Sequence, residues 1–245
     1  MRLAIISDIH SNPEALESVL ARLKEEGVES VLNLGDLVGY NAGPNECLDL
    51  LKDYPVKSLA GNHDLALLEP ERAEFFNLIA HQALMWSRER LRPEYVEFLR
   101  NLPLTIEEGN LLACHGTPTS CDSYIAQHFQ AKRVLSGLRD TPRRICFFGH
   151  THRRALWYRD VRGKVALYEV SPNKIRLQPD WHYLINPGSV GQPRDRNPEA
   201  AYAIFDAEDF SIQFKSAPYD VRAAQVRILA AGLPPFLAER LAQGV

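Results

Sequence analysis

Asp8-Ile9-His10 is the first of five short blocks whose side chains can hold a cation or move a proton. The others are Gly35-Asp36, Gly61-Asn62-His63-Asp64, His115-Gly116 and Gly149-His150-Thr151-His152. Carboxylate, amide oxygen and imidazole recur in them, and no thiolate is required. That donor mixture suits manganese, iron, zinc or nickel better than an all-oxygen magnesium site or a structural cysteine–zinc site. Asp8, His10, Asp36, Asn62, His115, His150 and His152 are too many for one tetrahedral ion. They suffice for two ions sharing a carboxylate. Two divalent ions set against Asp8 and Asp36 leave a local charge of about +2, which draws a phosphate group. Ions about 3.5–4 Å apart can hold a hydroxide at neutral pH and stabilise both oxygens of an in-line displacement.

Each block follows a short apolar run. Leu3–Ile6, Val31–Leu34, Val56–Ala60, Leu111–Cys114 and Ile145–Phe148 have the length and composition of buried strands. Ligand crevices of open α/β sheets form at the carboxyl ends of strands, so parallel neighbours would carry all five blocks to one edge. Residues two apart in extended chain point the same way. On that basis Asp8 and His10 can grip one ion together, and so can His150 and His152 in a near-extended segment. Asn12-Pro13 opens a helix carrying Leu16, Val19, Leu20 and Leu23, which stops at Gly27. A second helical stretch, about Pro70 to Leu91, offers Phe75, Phe76, Leu84 and Trp86 for packing or for one wall of a substrate cleft. After His152 come short aromatic and β-branched strands, then helical sequence from Asp220, interrupted at Gly232-Leu233-Pro234-Pro235. No repeat, low-complexity tract or linker divides the chain. The expectation is one α/β domain over residues 1–245, with two sheets and outer helices. Its metal-ligand motifs fall within 8–152, and the second sheet and C-terminal helices within 153–245.

Composition narrows the function classes. The chain has 245 residues, 45% hydrophobic and 24% charged, the balance of a soluble globular protein rather than a disordered or fibrous one. Lys plus Arg is 28 against 31 Asp plus Glu, a net charge of −3, which argues against a nucleic-acid binder held by phosphate neutralisation. No apolar run approaches the roughly 20 residues of a membrane helix. The start, Met1 to Asp8, turns polar too soon for a signal peptide. Cys47, Cys114, Cys121 and Cys146 are scattered, as in a reduced, cytoplasmic protein without disulfides. Residues 1–125 hold 10 basic and 20 acidic groups, and residues 126–245 hold 18 and 11. The basic half is either solvated surface or a rim attracting a small anion. Exposed aromatic strand edges there permit a homo-oligomer.

As a set, Asp8-x-His10, Gly35-Asp36-x-x-Gly39, Gly61-Asn62-His63-Asp64, His115-Gly116 and Gly149-His150-x-His152 resemble the calcineurin-like metallophosphoesterases. Gly35 to Tyr40 and Asn186 to Asp195 look like the small prokaryotic phosphodiesterase group within that family. The resemblance implies a four-layer αββα sandwich with two metals at the strand ends. It implies Asp8, His10, Asp36 and His152 on the first ion, with Asp36 bridging to a second completed by Asn62, His115 and His150. His63 would then face the scissile phosphate, protonating the leaving oxygen or stabilising charge, with Asp64 orienting its ring. Arg154 stands where relatives often have proline, and Asn41 where they often have glycine. Both positions concern the substrate rim and not the ligands.

Asn12 and Arg194 are the candidate substrate contacts. Asn12 also suits a helix cap, and Arg194 can clamp a phosphate bidentately or pair with Asp195. Tyr40 can pack or stack on a base, and Asn186-Pro187-Gly188-Ser189 is a tight turn that can buttress the site. His81, His128 and His182 are ordinary residues, while Cys114 and Cys146 are small core hydrophobes. The activity expected is hydrolysis of a small phosphodiester or nucleotide by a metal-bridging hydroxide, with manganese the first metal. A protein or phosphomonoester phosphatase, a nuclease and a non-catalytic scaffold are the rivals.

Overall fold

The computed structural model describes residues 2–28 and 30–245. Met1, the first residue of the stretch that turns polar too soon for a signal peptide, lies outside them. Strand β1 (Arg2–Ile6) shows how the layers arise. Its alternate side chains face opposite ways, Ala4 and Ile6 into one core and Ile5 into another. Both sets are apolar, so the strand is covered on both faces.

Beside β1 lie β2 (Ser30–Asn33) and β3 (Val56–Ser58), parallel to it in the order β3-β2-β1. A second sheet holds β4 (Thr105–Glu108), β5 (Leu111–Cys114), β6 (Ile145–Phe147), β7 (Ala155–Arg159) and β8 (Val165–Tyr168). The chain then gives β9 (Ile175–Arg176) to the first sheet, β10 (His182–Asn186) to the second, and β11 (Ala200–Asp206) and β12 (Ser211–Ala217) to the first. The completed orders are β3-β2-β1-β11-β12-β9 and β4-β5-β6-β10-β7-β8. Strands β5, β6 and β10 run parallel. The five motif-bearing strands are therefore divided three and two between the sheets instead of lying in one parallel set.

Ile5, Leu32, Leu34 and Phe205 of the first sheet meet Ile145, Phe147 and Ile185 of the second in a shared core. There the Phe147 and Phe205 rings stand edge to face at 5.8 Å. Burying a side chain of that size is worth about 1.5–3 kcal/mol. The outer face of the first sheet is covered by α1 (Pro13–Glu25) and α2 (Pro44–Lys52), through Leu16, Val19, Leu23 and Leu48. Helix α3 (Asn62–Leu68) follows the third motif. The outer face of the second sheet is covered by Ala131, Leu135 and Leu138 of a helix spanning His128–Leu138. The order helix, sheet, sheet, helix is the αββα sandwich.

One element differs from expectation. The stretch from Pro70 to Leu91 is a 3-10 turn over Pro70–Phe75, an extended Phe76, and helix α4 (Leu78–Arg90). Asn77 starts the helix afresh by accepting a hydrogen bond from the Ala80 amide at 3.0 Å. Helix α5 (Pro93–Arg100) comes next, which makes the His128–Leu138 helix α6. Helices α7 (Val221–Ala230) and α8 (Pro235–Gln243) close the chain, with Ala224, Ile228 and Leu237 sharing a core with Ala80 and Ala83 of α4.

Candidate metal centre

The loops leaving β1, β2, β3, β5 and β6 meet at the joint edge of the two sheets. Backbone bonds lock them together. The Asp8 amide donates to Gly35 O at 3.0 Å, that of His10 to Asp36 O at 2.9 Å, and that of Gly149 to His115 O at 2.7 Å. Within these loops Asp8, His10, Asp36, His150 and His152 all have φ between +45° and +66°. Such left-handed conformations cost non-glycine residues roughly 1–3 kcal/mol each and persist only where surrounding structure holds them. The extended geometry expected for Asp8-x-His10 and His150-x-His152 is therefore absent. Consistent with that, His150 and His152 fall into different clusters. Donor atoms of Asp8, His10, Asp36 and His152 lie within 4.8 Å of one another, and so do those of Asp36, His115 and His150. Asp36 belongs to both groups. Asn62 adjoins the second, its Oδ1 lying 3.1 Å from His115 Nε2.

Hydrogen bonding fixes which ring nitrogens face the centre. Nδ1 of His10 lies 2.9 Å from Val38 O, that of His115 2.7 Å from Leu34 O, and that of His152 2.7 Å from Gln192 O. A carbonyl can only accept, so each Nδ1 carries a proton and each ring turns its Nε2 inward, as a lone pair wherever the ring is neutral. His10 Nε2 and His152 Nε2 then stand 3.1 Å apart with no proton between them. Asp8 Oδ1 and His150 Nε2 are buried without any hydrogen-bond partner. Lone pairs and carboxylates facing one another in a buried space are a poor arrangement for protein alone and a good one for cations. The donor set fits divalent metal ions.

Protonation follows the same logic. Burial pushes His10 and His152 well below the ordinary histidine value, and His150 down to about 3. Burial also drives Asp8 up to about 7, with Asp36 adding to the rise and His115 opposing it. Asp36 goes the other way: burial alone would raise it, but the charge and hydrogen bond of His115 hold it well below the carboxylate range. His115 rises to about 9, because the pull of Asp36 outweighs the burial that would lower it. In the protein alone a proton on His115 balances part of the charge that a metal ion can balance instead.

Two expected roles change, and one alternative pairing falls away. Asp64 does not orient the His63 ring. Its Oδ1 accepts from the amides of Leu37 and Val38 at 2.9 and 3.2 Å, and its Oδ2 from that of Gly61 at 2.9 Å. It ties the Asp36 loop to the Asn62 loop, while His63 Nδ1 is buried without a partner. Nor does Asn12 face the cleft described below. It is fully buried, caps α1 through Ala15 N at 3.1 Å and donates to Gly191 O at 2.9 Å. Asn12→Ala is expected to cost about 1–2 kcal/mol in denaturant unfolding as a lost cap, with KM for a phosphoester unmoved. A large rise in KM at unchanged stability would restore the phosphate contact. Finally, the partner of Asp195 is Arg154 at 2.6 Å, which leaves Arg194 to Tyr40 and Gln192.

Sequence reasoning gave too little weight to the 186–192 loop. Asn186 Nδ2 donates to Gly149 O at 2.7 Å, Ser189 Oγ to Asp8 O at 2.8 Å, and the Gly191 amide to Asp8 O at 3.0 Å. It braces the first and last blocks from behind. Gly39, a motif letter in the sequence, has a structural reason of its own. At φ +93°, a methyl group there would come within 2.5 Å of His63 Nδ1, so glycine is what lets that ring sit against the loop. Asn41, at the departure from the family pattern, donates to His10 O at 2.7 Å and steadies the same loop.

Above the cluster opens a cleft of about 310 Å³, whose lining includes Asp36, Asn62, His63, Arg194, Phe75 and Tyr124. Phe75, Phe76, Asn77 and Ala80 form one side of it, so the 70–91 stretch does wall the site. Tyr40 packs rather than stands free, its ring 4.6 Å from that of His10 and 4.7 Å from that of His63.

A sandwich of this layering, carrying buried imidazoles and carboxylates at its joint sheet edge, defines a class of metal-dependent hydrolases. Residues 1–209 match the calcineurin-like phosphoesterase superfamily domain, so the chain belongs to that superfamily and is a metal-dependent phosphoester hydrolase. An uncharacterized protein of Methanocaldococcus jannaschii is 38% identical over 99% of this chain and 98% of its own length. The phosphodiesterase YfcE of Escherichia coli is 26% identical, over 86% of this chain and 91% of its own. Among solved structures, a metallophosphoesterase from Sphaerobacter thermophilus superposes with a TM-score of 0.86 at 35% identity. That match covers 100% of this chain and 99% of the other.

Proposed function

We propose that the chain hydrolyses a small phosphodiester or nucleotide-type ester using two divalent transition-metal ions, manganese first, with iron, zinc or nickel as alternatives. Asp8, His10, Asp36 and His152 would hold one ion, and Asp36, Asn62, His115 and His150 the other. The observation that carries this is the set of inward-facing Nε2 atoms around Asp36, the one residue common to both clusters. When bound, such ions supply Lewis acidity toward phosphoryl oxygens and lower the pKa of water.

The chain's own residues do the rest. Arg194, in the cleft, draws the anionic ester toward the centre. His63 is positioned by its amide bond to Asp36 Oδ1 at 2.9 Å and serves charge on the reacting phosphoryl group. The cleft is at the lower end of small-molecule pocket sizes, which favours a small ester over a protein or polynucleotide. No helix among the described residues is long and apolar enough to cross a membrane; the cytoplasmic location in this reading rests on the scattered, unpaired cysteines of the sequence. The packing of α7 and α8 against α4 supports counting the whole chain as one domain.

Assay of bis-p-nitrophenyl phosphate against p-nitrophenyl phosphate, with Mn²⁺ added, tests the reading. Diester turnover exceeding monoester turnover, abolished by chelator, is expected. Monoester preference would make the protein a phosphatase, and silence toward both with ions bound would make it a scaffold.

A further inference from the structure

Phe75 is 90% exposed, the largest value among the exposed large hydrophobic residues described. Single exposed apolar side chains are common on protein surfaces. This one lines the cleft above the candidate metal centre, at the end of the 3-10 turn Pro70–Phe75. Tyr124, on the segment between β5 and α6, lines the same cleft. It is 48% exposed, and its ring stacks on that of His150 at 4.0 Å. Phe76 extends the apolar wall inward, its ring 4.6 Å from that of His63. The cleft thus joins two chemistries: donors for cations together with Arg194, and an aromatic surface left open to solvent. An occupant that satisfies both has an anionic phosphorus centre bonded, through a short linker, to a flat ring. Phosphoserine or phosphothreonine segments and alkyl phosphates supply the first feature without the second.

We infer that the cleft selects phosphodiesters of nucleosides, the base stacking on Phe75 and Tyr124 while the phosphate lies against Arg194 and the metal-holding side chains. This rests on the phosphodiesterase reading above and adds the substrate class to it. Base–aromatic stacking tolerates any base, so selection would be for a nucleoside and not for a sequence.

Two esters that release the same 4-nitrophenol provide the test: thymidine 5′-(4-nitrophenyl) phosphate and methyl 4-nitrophenyl phosphate. In each, water oxygen bonds to phosphorus and the aryl P–O bond breaks, leaving thymidine monophosphate or methyl phosphate. The native protein with Mn²⁺ is expected to favour the nucleoside ester by on the order of tenfold in kcat/KM, chiefly through KM. Phe75→Ala should bring that ratio toward one, and Phe75→Tyr should keep it. A ratio near one in the native protein, or a ratio indifferent to Phe75→Ala, would overturn base stacking and leave the phosphodiesterase intact. Turnover of neither ester would remove the phosphodiesterase reading itself.

Discussion

His63→Ala is expected to lower kcat for a diester by on the order of 10²–10³ while both ions stay bound. His63 adjoins the donors without being one of them. Its amide is tied to Asp36, and its ring is packed among Tyr40, Phe76 and His10. Among the described residues no carboxylate is paired with the ring, because the three amide bonds of Asp64 take up the one that stands next to it in sequence. Nothing therefore holds an imidazolium form in the manner of a histidine–aspartate pair. On the proposed reading the ring would serve instead as a fixed hydrogen-bond donor to charge developing on the phosphoryl oxygens. A donor of that kind is needed equally for good and poor leaving groups. The expected losses are thus similar for 4-nitrophenyl and alkyl esters, with ion content by elemental analysis unchanged. A loss confined to the alkyl ester would reassign His63 to proton delivery. Unchanged turnover at full metal content would remove it from the mechanism.

The contrast between His63 and Asp64 shows where sequence reasoning reached and where it stopped. Residue types at strand ends were legible because the apolar runs before them are short, bounded by glycine and spaced for a sheet. The runs ending at Ile6, Leu34 and Cys114 all lead into side chains that meet at one edge. Direction of the side chains was not legible. Period-two reasoning assumes extended backbone, whereas Asp8, His10 and His152 turn left-handed under restraint from distant carbonyls such as Gly35 O and Asp36 O. Those restraints come from another strand, so no local window contains them. Competition for hydrogen bonds was equally hidden. Asn12 and Asp64 have side chains that could serve a substrate or a histidine, but unpaired amides nearby claim them first. The misjudged helix at 70–91 has the same origin: Asn77 gives its oxygen to Ala80 N and restarts the helix.

Asp36→Asn should have the largest effect of any single change in this molecule. Asp36 is the one side chain common to both donor groups, with Oδ2 lying 3.4 Å from His10 Nε2 and 3.2 Å from His115 Nε2. Its Oδ1 already accepts from the His63 amide. An amide group in its place keeps one oxygen and turns its second position into a donor. If the oxygen stays with the His63 amide, an N–H points at the two imidazoles. If the amide flips, the backbone N–H of His63 faces another N–H. Either way one negative charge is gone from a centre proposed to hold two dications. Gly61 leaves no room for adjustment, because even a methyl group there would collide with Asp36 Oδ1. The expected result is a protein that keeps at most one ion per chain after dialysis. Its affinity for the lost ion should fall by more than the roughly 10–100-fold typical of removing an outer-shell partner. Diester hydrolysis should fall with it, and excess Mn²⁺ should restore it only in part. Elemental analysis of Asp36→Asn beside the native protein decides the matter: two ions retained in the variant would show that the carboxylate does not bridge.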